Sequence, residues 1–437
     1  MEQSGKRAVH RCVYDTGESP SCHLVCTRKA SYAVQVLELD AGLEFIPDRD
    51  AEFFSLLPAK PAVCLIVSRE EAAEPYLIRT ADLHRRLQRL LGPPDPASKR
   101  LNLRQFARLV RYRETGSGFE QALTYYQNAR QIFPKRYREL MRLRPAPVLK
   151  INLRNAYPRC FVTRRIVVNE QGEPASGVYY GPFASRRSAE GFAETMLDFF
   201  KVRRCQIKIR RDPAFPGCLY SEMKMCLAPC FAGCSKEEYD AEVNRLVQFL
   251  DSGGGSLHDA LARDRESASE QLDFEKAAAL HKKLDKLDDV LRGKPDLSRR
   301  IQNLDAVILQ RTAGEQSIAF FAVRGGRLAE PFSRQFGDTG KPTSAEEAVR
   351  DYLEAVTNAA PVTNADVRQS AAELGEHLAL VARWFFSSPR EGEIFFRDKD
   401  WPYRRILRAC SRLLSPRKDP GSKAEAQAGK VKSEETK

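Results

Sequence analysis

Strand and helix patterns are interspersed along the chain. The apolar run at 62–67 is typical of a buried strand, and 75–79 predicts a second strand. Asp82 then precedes an amphipathic helix with a leucine face, which the Gly-Pro-Pro-Asp-Pro stretch at 92–96 must end. Further strand patterns follow at 160–168, 177–183 and 303–333. The chain is therefore expected to adopt an α+β fold.

Helical periodicity dominates the remaining segments. Residues 101–145 alternate helical patterns with many arginines. Ser235 and Glu238 have the spacing of a capping box, and the apolar stripe that follows them stops at a run of three glycines. Two helices are predicted within 256–292, and further helix within 344–389.

Length and composition bound the class of protein. A chain of 437 residues suggests two to four domains, and 42% hydrophobic with 30% charged residues excludes wholesale disorder. There is no run of about 18 apolar residues, so no membrane-spanning helix is predicted. The first residues are polar and lack a signal segment, which favours a cytoplasmic protein. Eleven cysteines, an odd number, favour free thiols or a metal site over a disulfide framework.

The positive charge is concentrated in one part of the chain. The formal net charge is +13, and residues 76–165 alone hold 21 Lys+Arg against 5 Asp+Glu. Such a concentration indicates a surface that binds a polyanion, and the planar arginine fork suits phosphate oxygens. A solvated helix face is the alternative for a single stripe, such as the one that Arg104, Arg108 and Arg111 would form at helical spacing. The candidate DNA-binding residues are Arg79, Arg85, Arg89, Arg104, Arg108 and Arg111.

A second candidate site is a group of cysteines. Cys205, Cys218, Cys226 and Cys230 fall within one predicted loop, with Cys234 just beyond them. Four thiolates from one loop can hold zinc or an iron–sulfur cluster, and their softness excludes magnesium and calcium as ions for this loop. The spacing alone does not separate zinc from iron–sulfur. A set of buried free cysteines is the alternative without a metal.

Several motifs around these cysteines resemble one protein family. The segment Phe-Lys-Val-Arg-Arg-Cys at 200–205, the run Cys-Leu-Ala-Pro-Cys at 226–230 and the turn Tyr-Gly-Pro-Phe at 180–183 are similar to the cysteine loop of UvrC. UvrC is the incision subunit of bacterial nucleotide excision repair. The resemblance implies a [4Fe–4S] cluster, with Cys234 as a spare thiol. The ligands that it implies are Cys205, Cys218, Cys226 and Cys230.

The predicted helical pair carries another motif of the same family. Residues 272–278, Leu-Asp-Phe-Glu-Lys-Ala-Ala, closely resemble the UVR motif, whose helical hairpin pairs in that family with the matching hairpin of UvrB. The resemblance therefore implies UvrB as a partner, with Phe274, Glu275, Ala277 and Ala278 at the contact. From the residues alone, a hairpin packed on its own domain is the alternative. Helical spacing predicts one face of the second helix to be formed by Phe274, Ala277, Ala278, His281, Leu284, Leu287 and Leu291.

The nuclease motif of the family is degraded in this chain. The family's N-terminal nuclease is a GIY-YIG domain, which needs a tyrosine, a basic cluster and a metal-holding glutamate. Residues 62–64 read Ala-Val-Cys where the family has Gly-Val-Tyr. In the second motif Ile78 replaces the glycine and Arg79 replaces the lysine. Tyr76 and Arg86 match the family and are interpreted as remnant catalytic residues.

The metal-holding glutamate has no clear equivalent. Residues 122–128 fit the run in which it should lie but contain no carboxylate, and the nearest candidates are Glu120 and Glu139. Without a carboxylate the divalent metal would lose its charged protein ligand. We therefore predict an inactive nuclease, and magnesium or manganese would be cofactors only if the nuclease were active.

The domain prediction is a multidomain α+β chain. It comprises a small GIY-YIG-like α/β domain, a cysteine-loop domain, a UVR hairpin and a partial, RNase H-like or α+β C-terminal region, since residues 303–330 resemble the segment that leads into the family's second nuclease. The predicted boundaries are 1–50 for a leader, 51–160 for the basic GIY-YIG-like domain, 161–255 for the cysteine-rich domain, 256–294 for the hairpin, 295–415 for a truncated UvrC-like region and 416–437 for a disordered tail.

These observations predict a UvrC-like repair protein that binds DNA and UvrB and cuts DNA little or not at all. No membrane contact is expected. The first alternative is an active excinuclease subunit that hydrolyses phosphodiester bonds near lesions. The second is a basic zinc protein that binds nucleic acid and has no repair partner.

Overall fold

The part of the chain that the structure describes forms three antiparallel sheets with helices packed on them. The structure is a computed structural model, and it describes residues 39–95, 97, 99–336, 342–359 and 367–415. The predicted tail at 416–437 and residues 1–38 of the predicted leader lie outside the described residues. The mixture of sheets and helices confirms the predicted α+β class.

The first sheet has the strand order β1-β4-β2-β3. Asp82 accepts a hydrogen bond from the backbone N–H of Arg85 and so caps the helix that follows β3, as the sequence predicts. The leucine face of that helix is buried against the sheet. The elements of this region are β1 (Ala41–Glu44), α1 (Asp50–Ser55), β2 (Ala62–Ser68), β3 (Tyr76–Thr80), α2 (Leu83–Leu91) and β4 (Ala107–Glu114).

Two predictions for this region are wrong. β1 lies within the segment predicted as a leader, and it pairs with β4 and contributes to the sheet. Residues 107–114 form a strand, not a helix, so Arg108 and Arg111 do not share a helix face with Arg104. Buried and exposed residues alternate along this segment, as in a strand, because the buried Val110 and Tyr112 alternate with arginines. The three- and four-residue spacing of the arginines obscured this alternation in the sequence.

Two helices cover the other face of the first sheet. They are α3 (Gly118–Ile132) and α4 (Tyr137–Met141). Ser117 caps α3 by accepting the backbone N–H of Glu120. Phe119 and Leu123 on α3 are buried in one core with Leu77 of β3. The first sheet is therefore covered on both faces.

The second sheet has the order β6-β5-β7-β8. Because β5 pairs with β6 and β7, the predicted domain boundary at 160 falls inside this sheet. The capping boxes at Ser185 and at Ser235 with Glu238 are present, the second as the sequence predicts. The elements are β5 (Val148–Ile151), β6 (Cys160–Thr163), β7 (Val178–Gly181), α5 (Arg186–Leu197), α6 (Leu219–Glu222), α7 (Lys236–Asp251) and β8 (Arg299–Arg300).

The predicted helical hairpin is formed by α8 (Gly255–Glu270) and α9 (Phe274–Arg292). Asp273 caps α9 by accepting the backbone N–H of Lys276, as expected. The predicted face of α9 is only partly right. Its buried residues are Leu280, Leu284, Leu287 and Val290, whereas Phe274, Ala278 and His281 are exposed. The buried face of α9 is therefore displaced by one residue from the predicted face: Leu280 and Val290 are buried, and His281 is not.

The third sheet has the order β11-β10-β9-β13, and β12 also pairs with β10. One face carries α10 and α12, and the opposite face packs on α11 and α3. The elements are β9 (Ala306–Arg311), β10 (Ser317–Arg324), β11 (Arg327–Leu328), β12 (Phe332–Gln335), α10 (Pro342–Asn358), α11 (Val367–Phe385), β13 (Glu393–Phe396) and α12 (Tyr403–Leu414).

The first and third sheets share a single hydrophobic core. Phe119 of α3 contacts Phe321 of β10 edge-on, with 5.1 Å between ring centroids, and its ring lies 5.7 Å from that of Trp384 on α11. The region after the hairpin is thus packed onto the first domain through α3. Among the described helices, none is both long and apolar enough to cross a membrane.

Candidate nucleic-acid interface

The two degraded motif positions face each other in the first sheet. Cys64 of β2 pairs directly with Ile78 of β3, and both side chains are buried under α2. Burial raises the pKa of the Cys64 thiol, which therefore stays protonated at neutral pH. A closed apolar contact occupies the place where the family motifs would bring a tyrosine and a glycine together.

Of the two carboxylates that the sequence offered, Glu120 is engaged at the start of α3 and not beside Tyr76. Glu120 accepts a hydrogen bond of 2.7 Å from the Gly116 backbone N–H and lies in a cleft beside Asp40. That cleft borders β1 and β4, whereas Tyr76 belongs to β3, so two strand spacings, about 10 Å, separate them. Glu139 is exposed on α4. Burial raises the pKa of Glu120, and the Gly116 N–H and the charge of Arg113 oppose this rise.

A carboxylate that sequence reasoning did not consider lies closer to Tyr76 along the chain. Glu74 precedes β3 by two residues, and its carboxylate pairs with the guanidinium of Arg136 at 3.0 Å. Both side chains are well exposed, so the pair contributes little to stability. The Glu74 carboxylate is nevertheless already paired with a cation of the protein itself.

Four arginines of β3 and α2 line one cleft at the β3 edge of the first sheet. We call it the arginine cleft; its volume is about 870 Å³. Arg79, Arg85 and Arg89 are exposed, and Arg86 is partly buried. Asp82 is the acidic residue of the lining, and it already caps α2. The structure therefore brings together the remnant Arg86 and three of the six predicted DNA-binding arginines.

The other three predicted DNA-binding arginines are distributed differently. Arg104 is a structural residue: its guanidinium pairs with Asp50 at 2.7 Å and donates to two backbone carbonyls, and only 15% of its side chain is exposed. Arg111 donates to the carbonyl of Leu39. Arg108 is exposed on β4. The arginine cleft contains none of the three.

The four candidate cysteine ligands belong to the loop between α5 and α7. Burial raises the pKa of Cys226 to about 11, and the thiols of Cys205, Cys230 and Cys218 raise it further. The pKa of Cys234 is raised by burial and by Glu238, with a smaller contribution from Cys230. In the residues that the structure describes, no three Cys, His, Asp or Glu side chains have the arrangement of a closed metal site.

The loop that carries these cysteines is organised by a buried arginine. Arg203 is buried, and its guanidinium donates to the carbonyls of Tyr157 at 2.8 Å and Ile207 at 2.9 Å. Its Nη1 lies 4.0 Å from the sulfur of Cys205, and the Ala228 backbone N–H donates to the sulfur of Cys226 at 3.3 Å. Cations and N–H donors beside sulfur atoms stabilise thiolates. The donor set therefore fits a thiolate-bound metal or cluster.

The far end of the hairpin exposes apolar side chains. Leu272, in the turn between α8 and α9, is 72% exposed, and Phe274, the first residue of α9, is 67% exposed. Glu275 and Ala278 are also exposed, and Ala277 is partly buried. The near end of the hairpin is anchored, because Leu287 and Val290 are buried in the core of the second sheet. The predicted contact residues thus form a surface at the projecting end.

A buried polar network between α11 and the first domain was not predicted. Glu376 on α11 is 5% exposed and accepts hydrogen bonds from the hydroxyls of Tyr126 and Tyr137, each 2.8 Å. Arg138 donates to the same carboxylate at 2.6 Å, and Arg130 pairs with the neighbouring Glu373. The sequence offers no signal for it, since the partners lie about 240 positions apart in the chain.

Comparison with known proteins identifies the second sheet and its helices. Residues 146–249 match the family model described as the middle domain of the UvrC/Cho excinuclease. The chain is a relative of the UvrC family. The UvrABC system protein C of Carboxydothermus hydrogenoformans is 30% identical over 275 residues, which is 62% of this chain and 43% of that protein. That of Ruminiclostridium cellulolyticum is 30% identical over 183 residues, 42% of this chain and 29% of that protein.

The match to these UvrC proteins is partial. The UvrABC system protein C of Dehalococcoides mccartyi is 27% identical over 278 residues, or 44% of its length. The chain therefore spans less than half of each of these relatives. No solved structure matches the fold of this UvrC relative. The family model matches the domain that contains the cysteine loop, whose motifs first indicated the similarity to UvrC.

Proposed function

We propose that this UvrC relative is a DNA-binding protein of nucleotide excision repair that docks on UvrB and has little or no nuclease activity. The observation that carries the proposal is the arginine cleft beside a closed nuclease centre. Arg79, Arg85, Arg86 and Arg89 line a groove, while Cys64 and Ile78 form a buried apolar pair across β2 and β3. The arrangement retains phosphate-binding groups without the groups that would cleave a phosphodiester.

DNA binding follows from the charge and exposure of the arginine cleft. Guanidinium groups form bidentate hydrogen bonds with backbone phosphates, and each contact releases counterions from the duplex. Of the four cleft arginines that belong to β3 and α2, three are exposed on the same edge of the sheet. The cleft supplies the sequence-independent part of DNA affinity, because phosphate contacts position a protein on the duplex without reading bases.

The loss of nuclease activity follows from the missing carboxylate. Hydrolysis by this chemistry needs a divalent metal, and such ions require carboxylate oxygens from the protein. Glu120 serves the start of α3, and Glu74 is paired with Arg136. Tyr76 and Arg86 remain, but a phenol and a guanidinium without a metal supply no activated water.

The DNA-binding proposal is tested by fluorescence anisotropy with a short labelled duplex. The double variant Arg85→Ala/Arg89→Ala should bind about 100-fold more weakly at low salt, if each phosphate contact contributes about 1.4 kcal/mol. The matched control is Arg186→Ala/Arg187→Ala, two exposed arginines at the start of α5. Equal losses in both double variants would mean that net charge, and not the cleft, binds DNA.

Docking on UvrB is proposed for the exposed end of the hairpin. Phe274 is 67% exposed, and Glu275, Ala277 and Ala278 continue the same surface. Interface hot spots are typically large side chains that are exposed in the free protein and become buried in the complex. Phe274→Ala should abolish capture of the chain by immobilised UvrB. Leu219→Ala is the control, since Leu219 is 64% exposed on α6. Capture that Phe274→Ala leaves unchanged would contradict the docking surface.

We further propose that Cys205, Cys218, Cys226 and Cys230 bind a [4Fe–4S] cluster, with zinc as the alternative. The mutual influence of the thiols, the nearby Arg203 and the N–H donor at Cys226 support the assignment. When bound, the cluster would cross-link the loop between α5 and α7. Iron and acid-labile sulfide in anaerobically purified protein would support a cluster, and zinc without iron would contradict it.

A further inference from the structure

A second cleft lies between the first and third sheets. We call it the acidic cleft; its volume is about 620 Å³, and small-molecule sites usually measure about 300–1,000 Å³. One wall is α3, another comes from the start of β1 and the end of β4, and a third comes from β10 and the residues around the start of β12. The arginine cleft shares no lining residue with it, so the two are separate sites.

Polar residues of α3 line the acidic cleft from one side of the helix. Glu120, Thr124 and Gln127 lie four and three residues apart, so their side chains follow one another along the same helix face. Leu123 of α3 and Pro331 before β12 supply apolar surface to the same cleft. A few polar groups beside apolar surface are the usual composition of a ligand site.

The described part of the protein does not satisfy these polar groups. Thr124 is 4% exposed, and its hydroxyl forms no hydrogen bond with a described residue, although a buried hydroxyl without a partner is costly. The side-chain amide of Gln127 likewise has no partner among the described residues. Glu120 accepts the Gly116 N–H through Oε2 at 2.7 Å, and its Oε1 accepts no hydrogen bond from a described residue. The α3 face therefore has open acceptors toward the cleft.

The lining of the acidic cleft carries more negative than positive charge. Its charged groups are the carboxylates of Asp40, Glu114, Glu120 and Glu330 and the guanidinium of Arg113. Arg113 pairs with Asp40 at 2.9 Å, and Lys60, from outside the lining, pairs with Glu114 at 2.9 Å. Glu120 forms no ion pair with a described cation. Negative charge is thus left beside the open acceptors of α3, and it favours a cationic ligand.

The positions of the carboxylates favour an elongated organic cation over a metal ion. Asp40 precedes β1, Glu120 belongs to α3, and Glu330 lies between β11 and β12. A divalent metal needs several oxygens that converge on one point, and no three Cys, His, Asp or Glu side chains of the described residues are arranged in that way. Ammonium groups joined by methylene chains can instead reach carboxylates on separate walls. Each primary ammonium has three donors, which suits a carboxylate, a hydroxyl and an amide oxygen.

We propose that the acidic cleft binds an aliphatic polyamine, with one ammonium group held by Glu120, Thr124 and Gln127. The methylene chain lies against the apolar part of the lining, and a second ammonium group reaches the carboxylates at the mouth of the cleft, where the Asp40 side chain is 67% exposed. The inference goes beyond the proposed function, because neither the arginine cleft nor the exposed end of the hairpin includes these residues.

The test is isothermal titration calorimetry of the full chain with spermidine. It is done without DNA and in about 0.15 M salt, where exposed charges are largely screened. Glu120→Gln keeps a carbonyl oxygen for the Gly116 N–H but loses the charge, and it should bind spermidine about tenfold more weakly. Thr124→Val removes the hydroxyl at nearly constant shape and should weaken binding about fivefold. The matched control is Glu194→Gln, which removes an exposed carboxylate from α5 and should leave the affinity unchanged.

The melting temperature of the free Thr124→Val variant separates a ligand contact from a structural role. Because the hydroxyl has no described partner, its removal should not lower that temperature. A lower melting temperature with unchanged spermidine affinity would overturn the proposal.

The remaining outcomes are equally decisive. Saturable binding that both cleft variants weaken and Glu194→Gln does not would support the site. The absence of saturable binding, or an equal loss in Glu194→Gln, would overturn it. Displacement of spermidine by an equal concentration of Mg²⁺ would overturn it too, since the cleft would then attract cations in general. No DNA is present, so none of these results depends on the proposed function.

Discussion

Glu376 tests whether the first and third sheets depend on each other. Its carboxylate is 5% exposed and is the acceptor for the hydroxyls of Tyr126 and Tyr137 and for the guanidinium of Arg138. The two tyrosines and Arg138 belong to α3 and α4, while Glu376 belongs to α11. Glu376→Ala removes the acceptor and leaves two phenols in a space from which water is largely excluded.

The magnitude follows from the groups that are left without a partner. Each buried hydroxyl that loses its acceptor costs about 1–3 kcal/mol. Arg138 is 55% exposed and can be solvated, so its loss of a partner adds little. We therefore expect Glu376→Ala to lower the free energy of unfolding by about 4 kcal/mol. Glu376→Gln keeps one carbonyl oxygen as an acceptor and should cost about half as much.

Urea unfolding followed by circular dichroism measures this loss. The matched control is Glu347→Ala, which removes an exposed carboxylate from α10 and should change stability by less than about 0.5 kcal/mol. Because α3 is buried against both sheets, the loss should appear in one cooperative transition that includes both regions. A cost below about 1 kcal/mol, or a separate early transition of the third sheet alone, would refute the reasoning.

Three further predictions concern other parts of the molecule. Burial lowers the pKa of His377 to about 4. The stability that the neutral imidazole contributes should therefore be fully present above pH 6.5, the ordinary pKa of histidine, and the free energy of unfolding should fall by about 3 kcal/mol as the pH drops to 4. His377→Asn keeps an acceptor for the Leu328 N–H and should flatten this decline; an unchanged pH profile would contradict the prediction. Leu287→Ala should cost about 3 kcal/mol because Leu287 is fully buried, whereas Leu272→Ala at the exposed turn should cost almost nothing; similar melting temperatures would contradict the packing of the hairpin. Cys226→Ser should remove bound iron while Cys234→Ser retains it, as measured by iron analysis; equal iron contents would exclude the assigned ligand set.

Local elements with strong signals could be predicted from the sequence. The helix α2 has a capping aspartate and a leucine face, and α7 has a capping box, so each was located correctly. β4 was missed because its arginines suggested helical spacing and its buried Val110 and Tyr112 are few. The face of α9 was displaced by one position for a similar reason: a small hairpin buries a narrow stripe, and several apolar positions compete for it.

Contacts between distant segments account for what the sequence could not supply. The cysteine ligands were found because they are close together in the chain and rare. Glu376 was not found, since nothing in the sequence around α11 indicates that it packs against α3. Arg104 illustrates the opposite error: net charge suggested a DNA contact, but the pairing with Asp50 commits that arginine to the fold.

The central claim is that this chain holds DNA at a nuclease-like site that cannot cut it. The direct measurement is a nicking assay on lesion-containing duplex with repair partners, magnesium or manganese, and an active UvrC as positive control. The account predicts duplex binding that depends on Arg85 and Arg89, with no nicks above background. Metal-dependent nicking that Tyr76→Phe abolishes would contradict it and would support the alternative of a working excinuclease subunit.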